Sequence, residues 1–122
     1  RIGRRDGHQV FVTVKTQKPL ELTEIIQQLQ TLELDYELPS KPKQAIHLVD
    51  RISPEKHLWS NGEHFSDNPD PSSDLKTGMA VIVGDLLIEG DTISFSAYSH
   101  NTIRGAAGGL VYLAEFLLHE NP

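Results

Sequence analysis

The stretch MAVIVGDLLIEGDTISFSAY, residues 79–98, decides how this chain folds. Its two apolar runs, 79–88 and 92–98, flank Glu89-Gly90-Asp91, a short link with glycine where a hairpin needs it. The runs therefore read as two paired strands, and the flanking sequence supplies what the hairpin must pack against.

Upstream, QAIHLV (44–49) reads as another strand, and Val10, Val12 and Val14 alternate with Phe11, Thr13 and Lys15 at the period of a half-buried strand. Between them Pro19 opens a helical segment with Leu22, Ile25, Ile26, Leu29 and Leu32 on one face and Glu21, Glu24, Gln27, Gln28 and Gln30 in water. Downstream comes SHNTIRGAAGGLVYLAEFLL (99–118), in which Asn101 or Thr102 is a good helix N-cap. Ile103, Ala106, Ala107, Leu110, Val111, Leu113, Ala114, Leu117 and Leu118 then recur at steps of three and four, predicting an amphipathic helix of about four turns. The order strand, helix, strand, long loop, strand, strand, helix gives an α+β domain. Its sheet is mostly antiparallel or mixed and covered on one face by helices, and the open face is a candidate subunit interface.

With 122 residues the chain makes one domain that folds without staples. It has no cysteine, which removes disulfides, thiolate metal sites and a cysteine nucleophile. A net charge of −6 with scattered Lys and Arg argues against nucleic acid or an anionic membrane as the main partner. No signal peptide or membrane-spanning run is visible, so a cytoplasmic protein is expected. The sequence starts at Arg1 rather than Met, as a fragment or processed product would.

Three features bear on chemistry. Gly105, Gly108 and Gly109 each weaken the last helix by roughly 1 kcal/mol relative to alanine, so either helix-on-sheet packing or a closely approaching ligand favours them. His8 follows Asp6-Gly7 at the start of a strand, with Arg1 seven residues upstream. A reversal at Asp6-Gly7 would let arginine clamp a carboxylate and histidine transfer a proton, whereas the plain alternative is a polar residue beside a turn. Residues 50–77 form a long loop with Trp59 and Phe65 as anchors against the core or a subunit neighbour. Its His57, His64, Asp67, Asp70 and Asp74 fit neither an EF-hand nor a ligand pair on one helix face, so no metal is expected.

The chain resembles the archaeal and fungal-like aspartate-semialdehyde dehydrogenases. The residues that carry the resemblance are Arg1-Ile2-Gly3 through Asp6-Gly7-His8, Leu38-Pro39-Ser40-Lys41-Pro42-Lys43-Gln44, and Gly78-Met79-Ala80-Val81 with Val83-Gly84. Above all it rests on His100-Asn101-Thr102-Ile103-Arg104-Gly105-Ala106-Ala107-Gly108-Gly109 with Ala114-Glu115. Two departures remove positive charge: Asp85 stands where relatives have arginine after Val-Gly, and Asp67-Asn68-Pro69-Asp70-Pro71-Ser72 replaces an arginine-bearing run.

The resemblance implies a division of labour. Residues 1–98 would be part of a substrate-binding and dimerisation domain, and 99–122 a helix returning to an NADP-binding domain, upstream, that carries the cysteine nucleophile. In the family reaction the cysteine attacks aspartate semialdehyde, hydride passes to NADP, and phosphate releases aspartyl phosphate. Carried over by position, His8 would be the acid/base group, Arg1 the clamp on the substrate carboxylate and Asn101 a neighbour of the nicotinamide. A homodimer or homotetramer is implied, and this chain alone should be inert. The alternatives are a non-catalytic dimerisation or binding module and an N-acetyl-glutamyl-phosphate reductase-like enzyme.

Overall fold

A computed structural model of the chain describes residues 5–120. In chain order the elements are β1 (His8–Lys15), α1 (Leu22–Gln30), β2 (Ile46–Leu48), α2 (Pro54–His57), β3 (Val81–Glu89) and β4 (Thr92–Ser99). A π-helical segment (Ile103–Ala107) and α3 (Gly108–Glu120) follow. The four strands form one mixed sheet in the order β1-β4-β3-β2, with β2 and β3 parallel and the other pairs antiparallel. The expected α+β class is what forms.

The hairpin that organises the sequence also organises the sheet. Glu89 lies opposite Thr92, leaving Gly90-Asp91 as a two-residue loop, and Gly90 has φ of 62° at the position a type II′ turn reserves for glycine. The turn also decides where α1 starts. Thr16 N–H donates to Asp91 O (2.7 Å) and Leu20 N–H to Gly90 O (3.2 Å). Those bonds hold the bent chain through Pro19 against the hairpin turn, so the helix begins at Leu22 and not at the proline.

The β3–β4 register shifts between Gly84 and Leu87. Asp85 sits in this bulge with φ of 55°, a left-handed conformation that aspartate tolerates better than most side chains, and its N–H donates to Asp50 O at 2.9 Å. The bulge thereby pins the sheet to the start of the long connection between β2 and β3.

That connection is not a free surface loop. Gln9, Tyr98 and Ile82 stand side by side on one sheet face. Ile52 from the connection packs on Ile82 and Tyr98, with Val49, Leu58 and Phe65 around them. Leu48 and Leu86 belong to the opposite face, where they line a cleft of about 420 Å³ together with Leu22 and Ile26 of α1. The helix thus lies on one face and the connection caps the other. Phe65 is an anchor against the core, as the sequence suggested. Among the described residues no helix is long and apolar enough to cross a membrane.

Candidate functional site

The site is built where the start of β1 meets the end of β4. His8 pairs with Ser99 in the sheet register, so the Asp6-Gly7 turn before β1 must lie against the residues that follow β4. Two hydrogen bonds fix it there: Gly7 N–H donates to Asn101 Oδ1 (3.1 Å) and Tyr98 Oη–H donates to Asp6 O (3.1 Å). Gly7 has φ of 77°, and a Cβ at this position would lie 2.5 Å from the Tyr98 ring. Only glycine fits both the conformation and the space.

His8 and Asn101, singled out separately in the sequence, are therefore brought together through Gly7. His8 is exposed at the sheet margin and Asn101 is half-buried. Because Asn101 accepts from Gly7 through Oδ1, its NH2 group is left as a donor, and it makes no hydrogen bond among the described residues. Arg1, the expected carboxylate clamp, lies outside the described residues.

The helix cap differs from the sequence expectation. Neither Asn101 nor Thr102 caps with its side chain, because Asn101 is committed to Gly7. His100 takes the role: its Nδ1 accepts from Thr102 N–H and Ile103 N–H (both 3.3 Å) and lies 3.2 Å from Thr102 Oγ1. The imidazole is buried and tilts against Trp59 with ring centroids 4.3 Å apart. Burial pushes its pKa below the usual value, against a smaller upward pull from Asp6. An Nδ1 that accepts backbone N–H groups is unprotonated, which agrees with that direction. His100 has no role legible in the sequence, because a ring acting as a cap has no periodic signature.

The first turn after this cap is π-helical, with Gly105 N–H donating to His100 O (3.0 Å) and Ala107 N–H to Thr102 O (2.9 Å). Gly108 and Gly109 are explained by packing. A Cβ on Gly108 would lie 2.7 Å from Met79 Sδ, and one on Gly109 would lie 2.7 Å from Arg104 O. Gly105 is different: a Cβ there meets only His100 O at 3.7 Å, so its smallness has no cause within the described chain.

α3 is less amphipathic than its spacing suggests. Leu110, Val111, Leu113, Leu117 and Leu118 all stay exposed, up to 71% for Leu118. The helix touches its own chain along a narrow stripe, where Glu115 accepts from Ser40 and Tyr36 sits edge-on to Phe116 and His119.

A second constellation lies in the cap over the sheet. The Phe65 ring stacks between His47 (4.8 Å) and His57 (4.5 Å), with His47 Nδ1 2.7 Å from Ser60 Oγ and His57 Nδ1 accepting from Ser53 N–H at 3.1 Å. Burial lowers the pKa of both histidines, helped at His57 by Lys56 and His47. Ser60 is buried and already accepts from Gly62 N–H, so this pair holds structure and is not a nucleophile and base. Among the described residues no group of three or more His, Asp or Glu side chains is arranged around a metal position. Clefts of about 670, 470 and 420 Å³ lie along α1 and β2, away from His8 and Asn101.

No family model matches the chain. Curated proteins do. Aspartate-semialdehyde dehydrogenase of Archaeoglobus fulgidus is 28% identical over 94% of this chain and 30% of its own length, and that of Trichophyton rubrum is 29% identical over 94% and 31%. Malonyl CoA reductase (NADP) of Metallosphaera sedula is 27% identical over 98% of the chain and 32% of its length. The chain is similar to the aspartate-semialdehyde dehydrogenases over nearly its whole length. It spans about a third of the length of the curated relatives it matches.

Proposed function

We propose that residues 1–98 belong to the substrate-binding and dimerisation domain of an NADP-dependent aspartate-semialdehyde dehydrogenase, and that 99–122 form the helix returning to its NADP-binding domain. The intact cytoplasmic enzyme would interconvert L-aspartate 4-semialdehyde and L-4-aspartyl phosphate in amino-acid biosynthesis. The observation that carries the reading is the Gly7–Asn101 hydrogen bond, which joins the two segments of strongest resemblance into one surface.

Within that reading His8 takes and returns a proton at an imidazole nitrogen, and Arg1 pairs its guanidinium with the substrate carboxylate. NADP would supply the hydride acceptor. The residues present fit it: the Asn101 NH2 is an unengaged donor among the described residues, and exposed Gly105 presents no side chain beside it. Asn101 would then orient the nicotinamide, and the exposed leucines of α3 would be covered by the nucleotide-binding domain. A second copy would cover the part of the capped sheet face that the connection leaves bare around Phe11 and Leu87, 62% and 54% exposed, to form a homodimer or homotetramer.

The similarity to malonyl CoA reductase over 98% of the chain favours one second reading, in which the substrate is an acyl-CoA thioester. The test is to assay the intact polypeptide with NADP, phosphate and aspartate semialdehyde, and with NADPH and malonyl-CoA. Turnover of the semialdehyde supports the first reading and turnover of malonyl-CoA alone the second. A folded, inactive dimer would sink both and leave a binding module.

A further inference from the structure

The polar grip between Glu115 and Ser40 has no part in the chemistry above. Ser40 donates both its N–H (2.9 Å) and its Oγ–H (2.8 Å) to the two carboxylate oxygens of Glu115. Ser40 is only 1% exposed and sits in a tight turn, Lys41 N–H donating to Leu38 O at 3.0 Å with Leu38 also buried. The carboxylate therefore seizes a rigid part of the domain. Two charge-assisted bonds at one residue are both stronger and more directional than the aromatic contacts of Tyr36 beside them.

The other end of the same rod is the candidate site. Backbone bonds from Gly105 to His100, Ala107 to Thr102 and Gly108 to Ile103 tie the segment after His100 into α3. A helical rod of this kind moves as one body. It is fastened at its start by Asn101 to Gly7 and by His100 against Trp59, and near its end by Glu115 and Tyr36. At about 1.5 Å per residue, the two fastenings are about 20 Å apart. A slip of about 3 Å at Glu115, one hydrogen-bond length, would swing the rod by about 8° and move an atom about 4 Å from the pivot at Asn101 by about 0.6 Å, at the limit of about 0.5 Å within which a reacting geometry must be held.

We propose that Glu115 is a positioning residue: its grip on Ser40 sets the angle of α3 and, through the continuous π/α rod, the orientation of Asn101 against the Gly7-His8 backbone. This rests on the dehydrogenase reading for its effect on turnover, but not for its effect on structure. The bulk of α3 makes few other demands, since its leucines face outward.

The experiment compares E115Q, S40A and the double variant in the intact polypeptide, using steady-state kinetics and selective 15N-glycine labelling to follow the Gly7 amide. E115Q should lower kcat about tenfold, in line with the sensitivity of catalysis to small misplacements, while KM for aspartate semialdehyde stays within about twofold. It should also move the Gly7 amide resonance. S40A should act in the same direction and more weakly, and the double variant no more strongly than E115Q. An E115Q protein that is folded, with kcat and the Gly7 amide both unchanged, overturns the proposal; if E115Q does not fold, S40A is judged by the same criteria. A wild-type polypeptide without dehydrogenase activity sinks the functional reading alone, because the Gly7 resonance still reports on the grip.

Discussion

Gly7 and Asn101 lie 94 positions apart and are joined by one hydrogen bond, from the Gly7 N–H to the Asn101 Oδ1 at 3.1 Å. Removing the acceptor leaves the buried Gly7 N–H without a partner, which costs about 1–3 kcal/mol. Asn101→Ala should lower stability by that order in urea denaturation and reduce turnover of the intact enzyme. Asn101→Asp keeps the acceptor and loses the NH2 donor, so stability should hold while the cofactor KM rises. Equal behaviour of the two variants would argue against a ligand role for the amide.

Gly7→Ala tests the turn itself. The left-handed backbone costs an alanine roughly 1–2 kcal/mol, and crowding against a ring adds roughly 1–3 kcal/mol. Denaturation of the variant should show a loss of about 2–5 kcal/mol, and a change below about 1 kcal/mol would mean the turn had rearranged.

His47, His57 and His100 give the fold a defined response to acid. Burial lowers the pKa of all three in the folded chain from the ordinary 6.5, so the unfolded chain binds protons more readily in the window below that value. Their contribution is fully present above about pH 6.5 and is lost as pH falls through the folded values. The denaturation midpoint should therefore drop between pH 7.5 and pH 5. His100→Asn supplies an oxygen cap that does not titrate, so its midpoint should fall less over the same range.

The exposed residues of α3 should behave differently in the two contexts. Leu113→Gln and Leu118→Gln should change the stability of this 122-residue chain by no more than about 0.5 kcal/mol, because both side chains already face water. In the intact polypeptide the same changes should cost at least about 1.5 kcal/mol each if a second domain covers them. Equal small effects in both would remove the helix from the domain interface.

Arg1→Lys should raise KM for the semialdehyde more than KM for NADP, because lysine cannot make the paired contact with a carboxylate. His8→Ala should slow the proton-transfer step and leave both KM values within about threefold; an undiminished kcat would take His8 out of the mechanism.

What the sequence by itself determined was every element whose cause is local. The alternation of Val10, Val12 and Val14, the glycine at position 90 and the stripe from Leu22 to Leu32 each act over a few residues, and β1, the β3–β4 hairpin and α1 formed where those signals lie. The two segments of the candidate site were legible as motifs for the same reason. The tertiary structure decided how they combine. Asn101 left its expected capping role because Gly7, distant in sequence, offered a buried N–H, and His100 capped the helix because Trp59 walled it in. The loop between β2 and β3 became a lid over Ile82 and Tyr98, since an apolar sheet face must be covered by whatever chain can reach it. The grip of Glu115 on Ser40 belongs to the same class: a carboxylate and a serine 75 positions apart carry no shared pattern, and only the fold brings their hydrogen-bonding atoms to within 3 Å of each other.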